Sequence, residues 1–143
     1  MNHHSKALLQ SISKTADMGR SSLSQLLHAC RDNAFCEVLR RQYDDSNRIC
    51  LSAAALLGSS GEQADSAPVM SRMMSGMMVA ASAVTDGSNG KFADMLVQGN
   101  NKGIAEIDRE LLRCSGADAR VRNLAVCLRD RLAANNRELQ KYL

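Results

Sequence analysis

A single proline, Pro68, stands in a chain of 143 residues, so almost every position is open to the helical hydrogen-bond ladder that proline breaks. Apolar residues use that freedom in a regular way. From Ser5 to about Arg31 one stripe reads Leu8, Ile12, Thr15, Gly19, Leu23, Leu26 and Cys30. A second stretch, with Asn33 as its expected N-cap, reads Phe35, Leu39, Gln42, Ser46, Ile49, Ala53 and Leu56 before Gly58 supplies a stop. Lys91 to Cys114 carries Phe92, Leu96, Gly99, Gly103, Ile107, Leu111 and Cys114. The last stretch, capped by Asp118, carries Val121, Ala125, Leu128, Leu132, Asn135, Leu139 and Tyr142. Steps of four and three match helices packed along a bundle axis. Aromatic residues make up only 3% of the chain, and strand-like alternation is absent, so the core must come from Leu, Ala, Met, Val and Ile.

The connections set the expected order. Asp32-Asn33 leaves a very short turn, which makes the first two helices antiparallel neighbours. Gly58 to Ala67 reads as a loop, and Ser66 with Pro68 starts a further helix, Val69 to about Thr85, that is rich in methionine. Asp86 to Gly90 ends it. The sequence therefore predicts an all-α domain over residues 1–143 with five helices. A hairpin at 5–58, a crossover at 59–90 and a hairpin at 91–143 would form an antiparallel four-helix bundle with a short methionine-rich crossover helix. A weak internal repeat fits this plan. A shift of 84 residues sets Gly19, Leu23, Leu27 and Cys30 on Gly103, Ile107, Leu111 and Cys114. QGNNKG, residues 98–103, reads as a turn in isolation; the repeat favours a continuous helix.

Several function classes are disfavoured. The net charge of +3 collects in the last helix, where no dense basic stripe with stacking aromatics accompanies it, so a solvated face is expected rather than a nucleic-acid surface. The five cysteines, Cys30, Cys36, Cys50, Cys114 and Cys127, contain no CxxC pair. No secretory apolar segment opens the sequence, and no run approaches the roughly 18 apolar residues of a membrane span. Reduced cysteines acting as small hydrophobes in a cytoplasmic protein, with no membrane partner, are the expectation.

The layout resembles the ferritin-like superfamily, in which two helical hairpins are joined by a long crossover. The likeness is to small uncharacterised bacterial ferritin-like proteins and rests on TADMGRSSL, KFADMLVQGNNKGIAEI and the terminal NNRELQKYL. A metal-loaded member needs Glu on one helix of each hairpin and Glu-x-x-His on the other. Here His3 and His4 lie in the opening residues and His28 near a helix end. The second helix offers only Asp44-x-x-Asn47 or Asp45-x-x-Arg48, and the last only Leu132-x-x-Asn135. No metal and no cofactor are expected.

Three groups of residues remain as candidates. Met70, Met73, Met74, Met77 and Met78 form an adaptable surface for packing, as a lid or against a partner; their thioethers also suit Cu(I). Asn135 interrupts an apolar seam and calls for a partner among Ser46, Asn47 and Arg48. Gly19, Gly99 and Gly103 weaken helices unless close backbone approach compensates, and the first and fourth helices are expected to pass close together at Gly19 and Gly103. Neither a nucleophile elbow nor a phosphate loop is present, and Gly99-x-x-x-Gly103 lies in helical context. The sequence predicts a non-catalytic bundle acting through protein partners or self-association, the alternative being a metal- or redox-responsive protein using Met and Cys sulfur.

Overall fold

The computed structural model describes residues 1–59 and 88–143, and in these the chain is all-α. Helix α1 spans His3–Ala29, α2 Asn33–Ser59, α3 Asn89–Arg113 and α4 Ala119–Leu139, followed by a 3-10 turn, Gln140–Tyr142. The fifth expected helix, with all five methionines from Met70 to Met78, lies outside the described residues. Each helix starts on a polar cap that takes up otherwise orphaned backbone N–H groups. Asn2 accepts from Ser5 N at 2.7 Å and Asp32 from Phe35 N at 2.9 Å. Ser88 accepts from Lys91 N at 3.5 Å, and Asp118 from Arg120 N at 2.8 Å. Asp32, not Asn33, is thus the cap of α2. Residues 98–103 are continuous helix, and the turn reading of QGNNKG is excluded.

The stripes meet in two apolar clusters. The first gathers Leu8, Leu9 and Ile12 of α1, Ala53 and Leu57 of α2, Ile107 and Leu111 of α3, and Val121, Ala125 and Leu128 of α4. The second gathers Leu23 and Leu26 of α1, Phe35 and Leu39 of α2, Phe92 and Leu96 of α3, and Leu139 of α4. Tyr142 packs edge-on against Phe35, ring centroids 4.6 Å apart. Helices α1 and α4 therefore begin in the first cluster and end in the second, while α2 and α3 begin in the second and end in the first. Full burial of one Leu or Phe side chain contributes about 1.5–3 kcal/mol, so these clusters supply most of the cohesion. Contacts join every pair of long helices substantially except α2 with α3.

The two hairpin turns are fastened differently. Cys30 and Cys36 are joined by a disulfide across the α1–α2 turn, with Cα atoms 6.0 Å apart. This corrects the expectation of uniformly reduced cysteines: a turn of three residues brings the end of α1 and the first turn of α2 within bridging range. The cytoplasmic assignment loses the support it drew from free thiols. The α3–α4 turn is held by the start of α1 instead. Asn2 Nδ2 donates to Gly116 O at 3.0 Å, Gly116 N to His4 Nδ1 at 2.8 Å, and Asp118 N to Ser5 Oγ at 2.7 Å. No described helix is long and apolar enough to cross a membrane.

Candidate functional site

Between the two clusters every helix breaks its apolar stripe. Helix α1 places Asp17, Ser21 and Ser22 between Ala16 and Leu23, and α2 places Gln42 and Ser46 between Leu39 and Ile49, all buried. Helix α3 has Gly99 and Gly103 between Leu96 and Ile107, and α4 has buried Asn135 between Leu132 and Leu139. The result is a polar waist around the middle of the molecule. Buried polar groups require partners, and the waist supplies them from neighbouring helices. Arg20 binds the Asp17 carboxylate and donates to Asn47 Oδ1 at 3.0 Å. Gln42 and Arg41 of α2 both donate to Glu138 of α4, at 3.2 and 2.9 Å. Asn100 Nδ2 donates to Asn136 Oδ1, and Asn136 Nδ2 to Asn101 Oδ1, each at 2.9 Å, tying α3 to α4.

The expected polar cluster is only partly assembled. Asn135 is 5% exposed and Ser46 3%, yet no hydrogen bond joins Asn135 to Ser46, Asn47 or Arg48 among the described residues. Arg20 has taken Asn47, and Arg48 turns outward to Asp45 at 3.3 Å with its side chain 76% exposed. The residues that do organise the waist, Asp17, Arg20, Glu138 and Asn136, were not singled out from sequence. A signal existed in Asp17-x-x-Arg20, whose i, i+3 spacing places opposite charges side by side on a helix.

Chemically the waist is quiet. The Asp17 charge is met by Arg20, and the Glu138 charge by Arg41 and Gln42. Burial pushes the Cys50 thiol up to about 11, against the pull of nearby Arg20 and with a further push from Asp17, so it stays protonated at neutral pH and is a poor nucleophile. Burial and the neighbouring Glu110 likewise raise the Cys114 thiol. His4 accepts from Gly116, and His28 Nδ1 donates to Ser24 O of its own helix at 2.8 Å. Among the described residues no group of three His, Cys, Asp or Glu side chains is placed to hold a metal ion. Two arginines of the basic last helix are engaged within the fold. Arg122 donates to Leu111 O and Cys114 O at the end of α3, and Arg129 to Asp108 at 3.1 Å.

Among the described residues one side of the waist is open. Helices α1 and α3 leave between them a mainly apolar groove of about 420 Å³, walled by Met18 and Thr15 on α1 and by Met95 and Leu96 on α3, with Gly99 and Gly103 on the same side. The three glycines differ in surroundings. A Cβ on Gly103 would come within 3.0 Å of Thr15 Cγ2 and 3.1 Å of Leu132 Cδ1. A Cβ on Gly19 would meet Ser46 Oγ at an ordinary 3.8 Å, and one on Gly99 would meet nothing within 4 Å. The first helix does come close to the helix that carries Gly103, with Thr15 at the contact; the expected part of Gly19 in that approach is corrected, since Gly19 rests against α2. The 84-residue shift explains the opening. It sets Thr15 on Gly99, so the side chain that covers Gly103 has no counterpart over Gly19.

No family model, curated protein or solved structure matches this chain.

Proposed function

We propose that this chain is a non-catalytic helical module that acts through protein contacts, built as an antiparallel bundle of the ferritin-like kind. The course of the described helices between the two clusters supports that layout, with α1 and α4 running one way and α2 and α3 the other. The groove between α1 and α3 carries the functional reading. It extends from Ser11 to Ser22 on α1, about 17 Å at the helical rise of 1.5 Å per residue. An apolar trough of that length suits three turns of an amphipathic helix. The charged groups of the waist are turned on one another, which commits them to structure rather than to acid–base work.

The test contrasts two substitutions at Gly99, where an added Cβ would meet nothing within 4 Å among the described residues. Proteins retained from native lysate would be identified and then titrated against purified wild type, Gly99→Ala and Gly99→Trp. A partner held by the first two and lost from the third is the expected result. Stoichiometric metal in protein purified without a tag, or a partner indifferent to Gly99→Trp, would overturn the reading. The Cys30–Cys36 bond favours a second reading, a redox-responsive binding protein; a partner held in only one oxidation state of that pair would select it.

A further inference from the structure

We propose that the α1–α3 groove binds a single-chain alkyl carboxylate, with its head at Lys14 and Lys102 and its tail running over Gly99 toward Met95. Such a site goes beyond the protein-contact reading and stands whether or not that reading holds. Charge is unevenly placed along the groove. Thr15 of α1 lies against Gly103 of α3, which sets their chain neighbours Lys14 and Lys102 at one level. Both lysines line the groove, and among the described residues neither has a hydrogen-bond or ion-pair partner. Glu106, the acidic residue of the lining, is already met by Arg109 at 3.2 Å. From the lysines to the Ser22 and Met95 end no lining residue is charged. Two ammonium groups therefore stand over one end of an apolar trough, and their aliphatic stems extend its walls. An anionic head with an apolar tail is complementary to that arrangement.

The groove is also narrow. Its volume of about 420 Å³, spread over about 17 Å, leaves a mean cross-section of about 25 Å², against roughly 80 Å² for a helix 10 Å across. A docked helix would rest on the rims and send only side chains down. An extended alkyl chain, about 4 Å across by the contact distance between carbons, lies inside. The volume falls within the roughly 300–1,000 Å³ of small-molecule sites. From Thr15, at the level of the lysines, to Ser22 the helix rises about 10 Å. With C–C bonds of about 1.5 Å a zigzag chain advances about 1.25 Å per carbon, so about eight carbons beyond the head fill that length.

The floor of the trough fits the same occupant. A Cβ on Gly99 would meet nothing within 4 Å among the described residues, so glycine there weakens α3 without a neighbour whose approach it permits. An alkyl tail passing over it is such a neighbour. Met18 on α1 and Met95 on α3 line the opposite walls, and their flexible thioethers adapt to a chain without a fixed shape. A bound tail would lie beneath any docked helix and compete with the side chains that helix sends down.

The test titrates full-length protein, labelled at its methionine methyls, with hexanoate, octanoate, decanoate and dodecanoate below micelle-forming concentrations. Decanoate should shift the Met18 and Met95 methyl signals saturably. Affinity should rise roughly tenfold for every two carbons up to decanoate, as buried methylenes require, and less than twofold from there to dodecanoate. Gly99→Ala should keep decanoate binding and Gly99→Trp should abolish it. A second variant covers the case in which Gly99→Trp destabilises the bundle. Lys14 and Lys102 are exposed, so Lys14→Gln with Lys102→Gln leaves the fold intact; it should weaken decanoate at least tenfold and neutral decanol by less than twofold. No saturable shift with decanoate, affinity that climbs without a break through dodecanoate, or equal binding of decyltrimethylammonium would each overturn the proposal. A protein partner lost from Gly99→Trp while decanoate fails to bind would remove this site and leave the protein-contact reading standing. Decanoate bound as expected with no partner found would do the reverse.

Discussion

Gly103 has Thr15 and Leu132 pressed against the place where a side chain would begin, whereas Gly19, at the matching position of the first hairpin, has only Ser46 within contact range. The halves share a stripe pattern and a shift of 84 residues, yet one is closed over its glycine and the other is open. One residue accounts for most of the difference: Thr15 of the first hairpin covers Gly103, whereas its counterpart in the second hairpin, Gly99, has no side chain to cover Gly19. The turns differ as well. A covalent bridge fastens the first hairpin, and hydrogen bonds from the start of α1 fasten the second. Similar hairpins can thus be joined into one bundle that, among the described residues, is closed over one glycine and open over the other.

The largest effect is expected at the bridged turn. Cross-linking residues so close in sequence removes chain entropy worth about 2 kcal/mol from the unfolded state. Replacing Cys30 and Cys36 by Ser, or adding reductant to the wild type, should lower stability by about that amount in urea unfolding. Replacing His4 by Ala at the other turn removes a single acceptor and should cost about 1 kcal/mol. An unchanged midpoint on reduction would show that the first turn stands without its bridge and would erase the contrast.

Next comes the glycine pair itself. Gly103→Ala should lose more than about 1 kcal/mol, because Leu132 is held in the first cluster and Thr15 is β-branched with few rotamers to retreat into. Adding Thr15→Ala should restore much of that loss, since it removes the nearer obstacle. Gly19→Ala should go the other way and gain up to about 1 kcal/mol from helix propensity, as its Cβ meets only ordinary contact. Equal effects at the two positions would mean that the halves are packed alike.

Much of this architecture was legible in the stripes, and the stripes also held the waist. Each was broken at its middle by Thr15 and Gly19, Gln42 and Ser46, Gly99 and Gly103, or Asn135. Taken helix by helix these looked like separate irregularities, and only the alignment of helix ends brings them to one level. The true partners of the waist, such as Arg41 with Glu138, are 97 residues apart and leave no local trace. The glycines could be recognised as special without revealing which was wedged, since that depends on the side chains facing them from other helices. The Cys30–Cys36 bond has no local signature, because a separation of six positions belongs to no familiar motif; it takes the turn geometry to bring the sulfurs together.

The smallest expected effect concerns the cap of α4, which has no covalent bridge beside it. Asp118 Oδ1 accepts the backbone N–H of Arg120 at 2.8 Å and its guanidinium Nε at 3.3 Å. These hydrogen bonds, the backbone one foremost, hold the Asp118 carboxyl below its ordinary value. A carboxyl lowered on folding binds fewer protons in the folded than in the unfolded state. Its contribution is therefore present above the ordinary aspartate range and fades as pH falls through about 4 and below. The group is well exposed and screened by solvent, so the effect should be slight. Asp118→Asn keeps a capping oxygen but cannot titrate. Melting temperatures of the two proteins should differ most near neutral pH, in favour of the wild type, and converge in acid. A gap that stays constant with pH would mean that Asp118 acts on α4 through its capping geometry alone and that its charge adds nothing to the second turn.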